Sequence, residues 1–153
     1  MNPGDPFDLQ RFVTAQAPVM PAVTAELKAG AKRSHWMWFV FPQLAALGRS
    51  STARHYGIAS LDEARAYLAH PVLGPRLKDC CRLLLGVQSR SAHQVFGSPD
   101  DLKLRSCLTL FHHADPAETV FTQCLDRYYA GVPDTATAGL LGLGNGGPES
   151  AYS

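Results

Sequence analysis

The side chains best suited to chemistry are gathered in one stretch, Lys32-Arg33-Ser34-His35-Trp36-Met37-Trp38-Phe39-Val40-Phe41-Pro42-Gln43-Leu44. It holds both tryptophans of the chain, two phenylalanines and a histidine. From Lys28 to Arg54 there are five cations (Lys28, Lys32, Arg33, Arg49 and Arg54) and no acid. Exposed indoles beside a basic collar suit a planar ring that carries phosphate. An indole face stacks on a base, and guanidinium forks chelate phosphate oxygens. In this reading Trp36 or Trp38 stacks the base, while Lys32, Arg33 and Arg49 hold phosphates. His35 is the proton carrier by residue type. The plainer reading puts the rings in the core and the cations on a solvated face. For Phe39 and Phe41 the core is favoured. For Trp36 and Trp38 both readings stay open, because two indoles so close in sequence cannot easily share one small core.

A second group lies further along. Lys103, Ser106 and Thr109 follow one another at i, i+3 and so form a polar strip on one helical surface. A strip of hydroxyls beside an apolar stripe lies at the edge of burial, where a pocket can sit. The alternative is that Ser106 and Thr109 bond back to carbonyls of their own helix. Asp101 is a candidate for proton handling, and Asp100 stands beside it. Both also suit the capping of a helix start, and Asp101 sits four positions before Arg105, the spacing of a surface ion pair.

Metal chemistry is not expected. Cys80, Cys81, Cys107 and Cys124 contain no CxxC pair, and zinc wants paired ligands at short loop spacing. Cys81, Cys107 and Cys124 fall on apolar helical stripes, where a thiol serves as a small hydrophobe. His112 and His113 point about 100° apart on a helix and do not chelate together. No cofactor is expected either.

The elements that must position these groups read as helices. Asp5-Pro6 can open a first helix ending near Gln16, and Pro21 to Ala29 reads as a second, stopped by Gly30. Ser50 or Ser51 caps a short helix through Tyr56. Ser60-Leu61-Asp62-Glu63 is a capping box for a helix ending at His70. Another runs through Leu77, Cys81 and Leu84 to Gly86, and Ser91 caps a short one to Phe96. Ser98-Pro99-Asp100-Asp101 opens a helix bearing Leu104, Cys107, Leu108 and Phe111. Asp115-Pro116 opens the last long one, which buries Val120, Phe121, Cys124, Leu125 and Tyr128 and ends at Gly131. Period-two alternation shows only weakly, over Met37–Phe41. The expectation is an all-α single domain of about seven short helices over residues 5–141, with a flexible glycine-rich tail over residues 142–153.

Composition bounds the rest. The chain has 153 residues, of which 46% are hydrophobic and 18% charged, enough for one domain with a real core. Fourteen Lys and Arg against thirteen Asp and Glu give a net charge of +1, which argues against a strongly basic nucleic-acid domain. The longest apolar run, Trp36 to Phe41, is far too short to span a bilayer. No signal-peptide pattern is visible at the start, so a cytoplasmic location is expected.

DLQRFVTAQ, KRSHWMWFVFPQLAALGRS, ARHYGIASLDEARAYLAHPVLGPRL and FGSPDDLKLRSCLTLF resemble the successive motifs of one family. It comprises small all-helical, mostly bacterial proteins labelled a domain of unknown function, some of them mis-described as calpastatin. The resemblance runs from about Phe7 to Leu141 and implies an all-α fold, with no established activity attached. A more distant similarity is to NADAR-type families, compact helical proteins that act on ADP-ribose or related N-glycosides. That similarity implies a pocket for a phosphoribosyl or ADP-ribosyl group and hydrolysis of a C1′–N bond. Those proteins carry a glutamate in the early aromatic motif, where this chain has His35 and no acid, so no catalytic residue is carried over.

Three functions follow as expectations. The first is binding or hydrolysis of an ADP-ribose-like nucleotide or ADP-ribosylated substrate at the aromatic-basic segment. The second is a non-enzymatic module that docks a protein partner on the same segment, since Trp and Arg are favoured interface anchors. Single-stranded nucleic-acid binding by indole stacking comes third, because the charge is near neutral.

Overall fold

The structure, a computed structural model, describes residues 5–142. Its chain order is α1 (Gln10–Gln16), α2 (Met20–Ala29), α3 (Met37–Val40), a 3-10 turn (Ala45–Leu47), α4 (Ser51–His55), α5 (Leu61–Ala69), α6 (Leu73–Leu85), α7 (Ala92–Phe96), α8 (Asp100–Ala114), α9 (Val120–Tyr129) and α10 (Thr135–Leu140). The domain is all-α, with one isolated parallel bridge between Leu44 and Ile58 among the described residues.

Helix α8 is the axis. It packs against α5, α7, α9 and α10, and α6 closes the far side against α9, α5 and α2. The expected stripe of Leu104, Cys107, Leu108 and Phe111 is buried, and so are Ser106, Thr109, Leu110 and Ala114. A helix buried around most of its girth lies in the middle of a bundle. Each such Leu or Phe removed from water contributes roughly 1.5–3 kcal/mol. The α8–α9–α6 contact therefore dominates the fold, and the short early helices are laid on it.

Local chemistry sets most helix ends where the sequence places them. Ser50, Ser60 and Ser91 each accept from the backbone N–H three residues on, as N-caps do. At Ser60 the reciprocal half of the capping box is displaced. The Glu63 carboxylate reaches Ala59 N at 2.8 Å, and its other oxygen meets Arg11 at 2.9 Å. Gly30 closes α2 at φ 69°, a left-handed position that a side chain would strain.

Four features differ from the expectation. Asp5-Pro6 does not start α1; Asp5 instead accepts from the N–H groups of Leu9 and Gln10, and the helix begins at Gln10. The weak alternation over Met37–Phe41 is one helical turn, with Met37 and Val40 inward at i, i+3. Helix α9 begins at Val120, because Asp115-Pro116 is spent on a turn and Glu118 accepts from Val120 N at 3.2 Å. Helix α10, capped by Asp134, occupies the stretch between Gly131 and Leu141. The expected glycine-rich tail lies, apart from Gly142, outside the described residues.

Candidate functional site

At the start of the single turn α3 the two tryptophans, two positions apart, point to different sides. Trp36 is wholly buried, tilted against Phe41 at 6.2 Å and edge-on to Phe96 at 6.4 Å. Its Nε1–H donates to Glu26 Oε1 at 2.9 Å, so the indole satisfies its one polar atom inside the protein. Trp38 is two residues on, half-buried, and lines a cleft of about 600 Å³. That volume falls within the usual range of small-molecule sites.

The cleft is assembled from five parts of the chain. The α3 turn brings Trp38. The segment after Pro42 brings Gln43 and Leu47, held by Ile58 N donating to Gln43 O at 2.9 Å and Ala45 N donating to Ile58 O at 2.8 Å. The start of α4 brings Arg49, Ser50 and Ala53. The outer face of α8 brings Leu102, Lys103 and Ser106, with Pro99 before it and Asp134 and Ala136 opposite. The Lys103 ammonium sits over the Trp38 ring, 5.4 Å from its centre, and 3.8 Å from Asp100. Arg49 is exposed and makes no ion pair among the described residues.

Of the residues singled out in the sequence, Trp38, Arg49, Lys103 and Ser106 share this cleft. The others lie elsewhere. Lys32 is nearly buried, pairs with Asp100 at 3.0 Å and stacks over Trp36 at 5.1 Å, so its charge serves the interior. Arg33 and His35 are exposed and do not line the cleft; Arg33 N donates to Glu26 at 2.8 Å. Asp101 also faces away. It accepts from Leu102 N at 2.9 Å and lies 3.5 Å from His93, while Arg105, its expected partner, stacks over Tyr129. Ser106 and Thr109 bond back to Leu102 O and Arg105 O, the alternative raised from the sequence. Ser106 still floors the cleft, whereas Thr109 stands behind it and accepts from Asp134 N at 2.9 Å.

Three further residues with structural or cleft roles lie outside the groups singled out in the sequence. Glu26 anchors the aromatic segment from α2, accepting from Arg33 N, Ser34 N, Ser34 Oγ and Trp36 Nε1. Burial pushes its pKa up, but those hydrogen bonds prevail and hold it at about 2. Gln43 is delivered by a tertiary bridge that no local signal announces. Asp134 has a readable signal, an Asp three residues before Thr137 and just after Pro133, in N-cap position. Another hollow of about 420 Å³ lies between Asp5 and His70, but Asp5 is occupied in capping and His70 Nδ1 accepts from Val72 and Leu73 N–H. Among the described residues no group of His, Cys, Asp and Glu is arranged to hold a metal ion, and no helix is long and apolar enough to cross a membrane.

No curated protein matches the chain. The crystal structure of the conserved hypothetical protein Rv1873 from Mycobacterium tuberculosis is similar to it, with 57% identity and a TM-score of 0.89 over 90% of this chain and 99% of that one. The model of a family described as protein of unknown function (DUF1810) matches residues 6–141. Sharing that match over nearly all of its helical part, the chain belongs to the DUF1810 family.

Proposed function

We propose that this protein binds an ADP-ribose-like or phosphoribosyl N-glycoside ligand in the Trp38 cleft. The observation that carries the reading is the meeting of an indole, two cations and a carboxylate in one cleft of about 600 Å³. Trp38 offers a ring face for a base, and Lys103 and Arg49 supply charge for phosphate oxygens. Ser106 and Gln43 add neutral hydrogen-bonding groups for a sugar. Hydrolysis, if the protein turns its ligand over, adds a water oxygen to C1′ and leaves a water proton on the departing nitrogen. His35 and Asp101 lie outside the cleft, and the one acid in its lining is Asp134.

Calorimetric titration and thermal shift with ADP-ribose, NAD and ribose 5-phosphate test the reading. A ligand that binds the folded state raises the midpoint by mass action. Trp38→Ala and Arg49→Ala are expected each to weaken ADP-ribose binding by about tenfold or more, in line with the loss of a stacked or charge-assisted contact. Unchanged titrations for both variants would overturn it. A second reading, docking of a protein partner on the same surface, draws on Leu102, which is 52% exposed on the cleft wall. That reading predicts a complex lost in Leu102→Asp and insensitive to nucleotide.

A further inference from the structure

We propose that Asp134 reads the vicinal diol of a ribose, so that the cleft selects ribonucleotides over their 2′-deoxy counterparts. The proposal rests on the nucleotide reading above and adds the sugar chemistry that the site requires.

Asp134 is the one carboxylate among the residues lining the cleft. The nearby acids of α8 are committed elsewhere: Asp100 to Lys32 and Lys103, Asp101 to Leu102 N and His93. Asp134 itself is fixed from two sides. Its main-chain N–H donates to Thr109 Oγ1 at 2.9 Å, and that buried hydroxyl donates in turn to Arg105 O at 2.8 Å. Its Oδ2 accepts from Thr137 N at 2.9 Å and from Thr137 Oγ1 at 2.6 Å. One carboxylate oxygen thus locks the side-chain rotamer. The other, Oδ1, has no hydrogen-bond partner among the described residues.

The chemistry of that free oxygen narrows what it can face. An ionised carboxylate only accepts. A phosphate brought against it meets like charge, so phosphate must sit toward Arg49 and Lys103. The face of a base belongs to Trp38. What remains of a nucleotide between ring and phosphate is the sugar, and a ribose presents two O–H donors on adjacent carbons. A held carboxylate takes such a pair without reorganisation, and each hydrogen bond to the charged acceptor is stronger than a neutral one. Removing the 2′-hydroxyl removes a donor while leaving charge, base and phosphate unchanged.

Titration of the whole chain with ADP and with 2′-deoxy-ADP tests this. The unsubstituted protein is expected to bind ADP about tenfold or more tightly than 2′-deoxy-ADP, the scale of one hydrogen bond to a charged group. Asp134→Ser keeps an N-cap acceptor for α10 and loses the free oxygen. It is expected to weaken both nucleotides, ADP the more, so that the two affinities converge. Equal affinities in the unsubstituted protein, or a preference that survives Asp134→Ser in a variant with an unchanged melting midpoint, would overturn the proposal while leaving the cleft reading intact. Failure of both nucleotides to bind while ADP-ribose binds would also overturn it. If none of the three binds, the cleft reading falls and the proposal with it. Should Asp134→Ser fail to fold, the ratio in the unsubstituted protein decides alone.

Discussion

Glu26 shows how much can depend on one carboxylate. Four donors converge on it, one of them the indole of Trp36, and together they tie α2 to the aromatic segment. Glu26→Ala leaves the Trp36 N–H with no acceptor inside the core, a penalty of about 1–3 kcal/mol for that group before the other lost bonds are counted. Chemical denaturation should register a loss of at least that size. The pH dependence has a definite sign. The folded pKa, about 2, lies below the ordinary 4.5, so the contribution is complete above pH 4.5 and is lost as pH falls through about 2. Acid titration of the melting midpoint should therefore show a decline below pH 4.5 that is shallower in Glu26→Gln, where the share from Glu118, also held below its ordinary value, remains. None of this was legible in sequence, because Glu26 sits on a different helix and is brought to Trp36 by the reversal at Gly30. The types needed for a ligand site were legible, and Trp38, Arg49, Lys103 and Ser106 do meet. What the sequence could not tell was which indole faces outward, since that depends on the phase of one helical turn.

The elements were easier to read at their ends than in their middles. Serine caps and Pro-Asp starts act within four residues, so α4, α5, α7 and α8 begin where local chemistry puts them. Helix α3 was hidden because an aromatic and β-branched run has strand-like propensity, and only packing of Met37 and Val40 into the core turns it helical. Helix α10 was hidden by its glycine and threonines. The helix α6 offers a sharper test of packing against propensity. Gly74 lies inside it, and a Cβ there would stand 2.1 Å from the main-chain oxygen of Leu68. Propensity alone makes Gly74→Ala stabilising by about 1 kcal/mol. Overpacking costs about 1–3 kcal/mol, and a backbone oxygen cannot swing aside, so a net loss is expected. Equilibrium unfolding in urea decides the sign; a gain in midpoint would show that α5 and α6 can slide apart.

At the scale of the whole molecule the early helices share the one core through Phe12, Val23, Leu27 and Trp36, and polar clamps fasten them to it. Arg11 donates to the carbonyls of Phe7, Asp8, His55 and Gly57 and to buried Glu63, joining α1, the end of α4 and α5. Breaking a buried pair by removing one partner costs about 3–5 kcal/mol. Arg11→Met is expected to lose a comparable amount in thermal or denaturant unfolding, and Arg11→Lys most of it, since an ammonium cannot serve five acceptors in a plane. The interior behaves differently. All four cysteines are buried, and burial, followed by the charge of Asp79, pushes Cys80 up to about 12. A thiol reagent should therefore label no cysteine in the native protein at pH 8, and labelling should begin only at the denaturant concentration that unfolds α6, α8 and α9. Labelling of Cys80 in native buffer would mean that α6 opens locally.

The opposite facing of two indoles only two positions apart has a practical meaning. The chain carries two natural fluorophores in two different solvents. Trp36, sealed and hydrogen-bonded to Glu26, should emit at short wavelength and shift red only when the core opens. Trp38, with an ammonium over its ring and water beside it, should emit at longer wavelength and respond to whatever enters the cleft. Occupancy and unfolding can thus be followed in one cuvette from two bands, and Trp38→Phe should silence the first signal while leaving the second as it was.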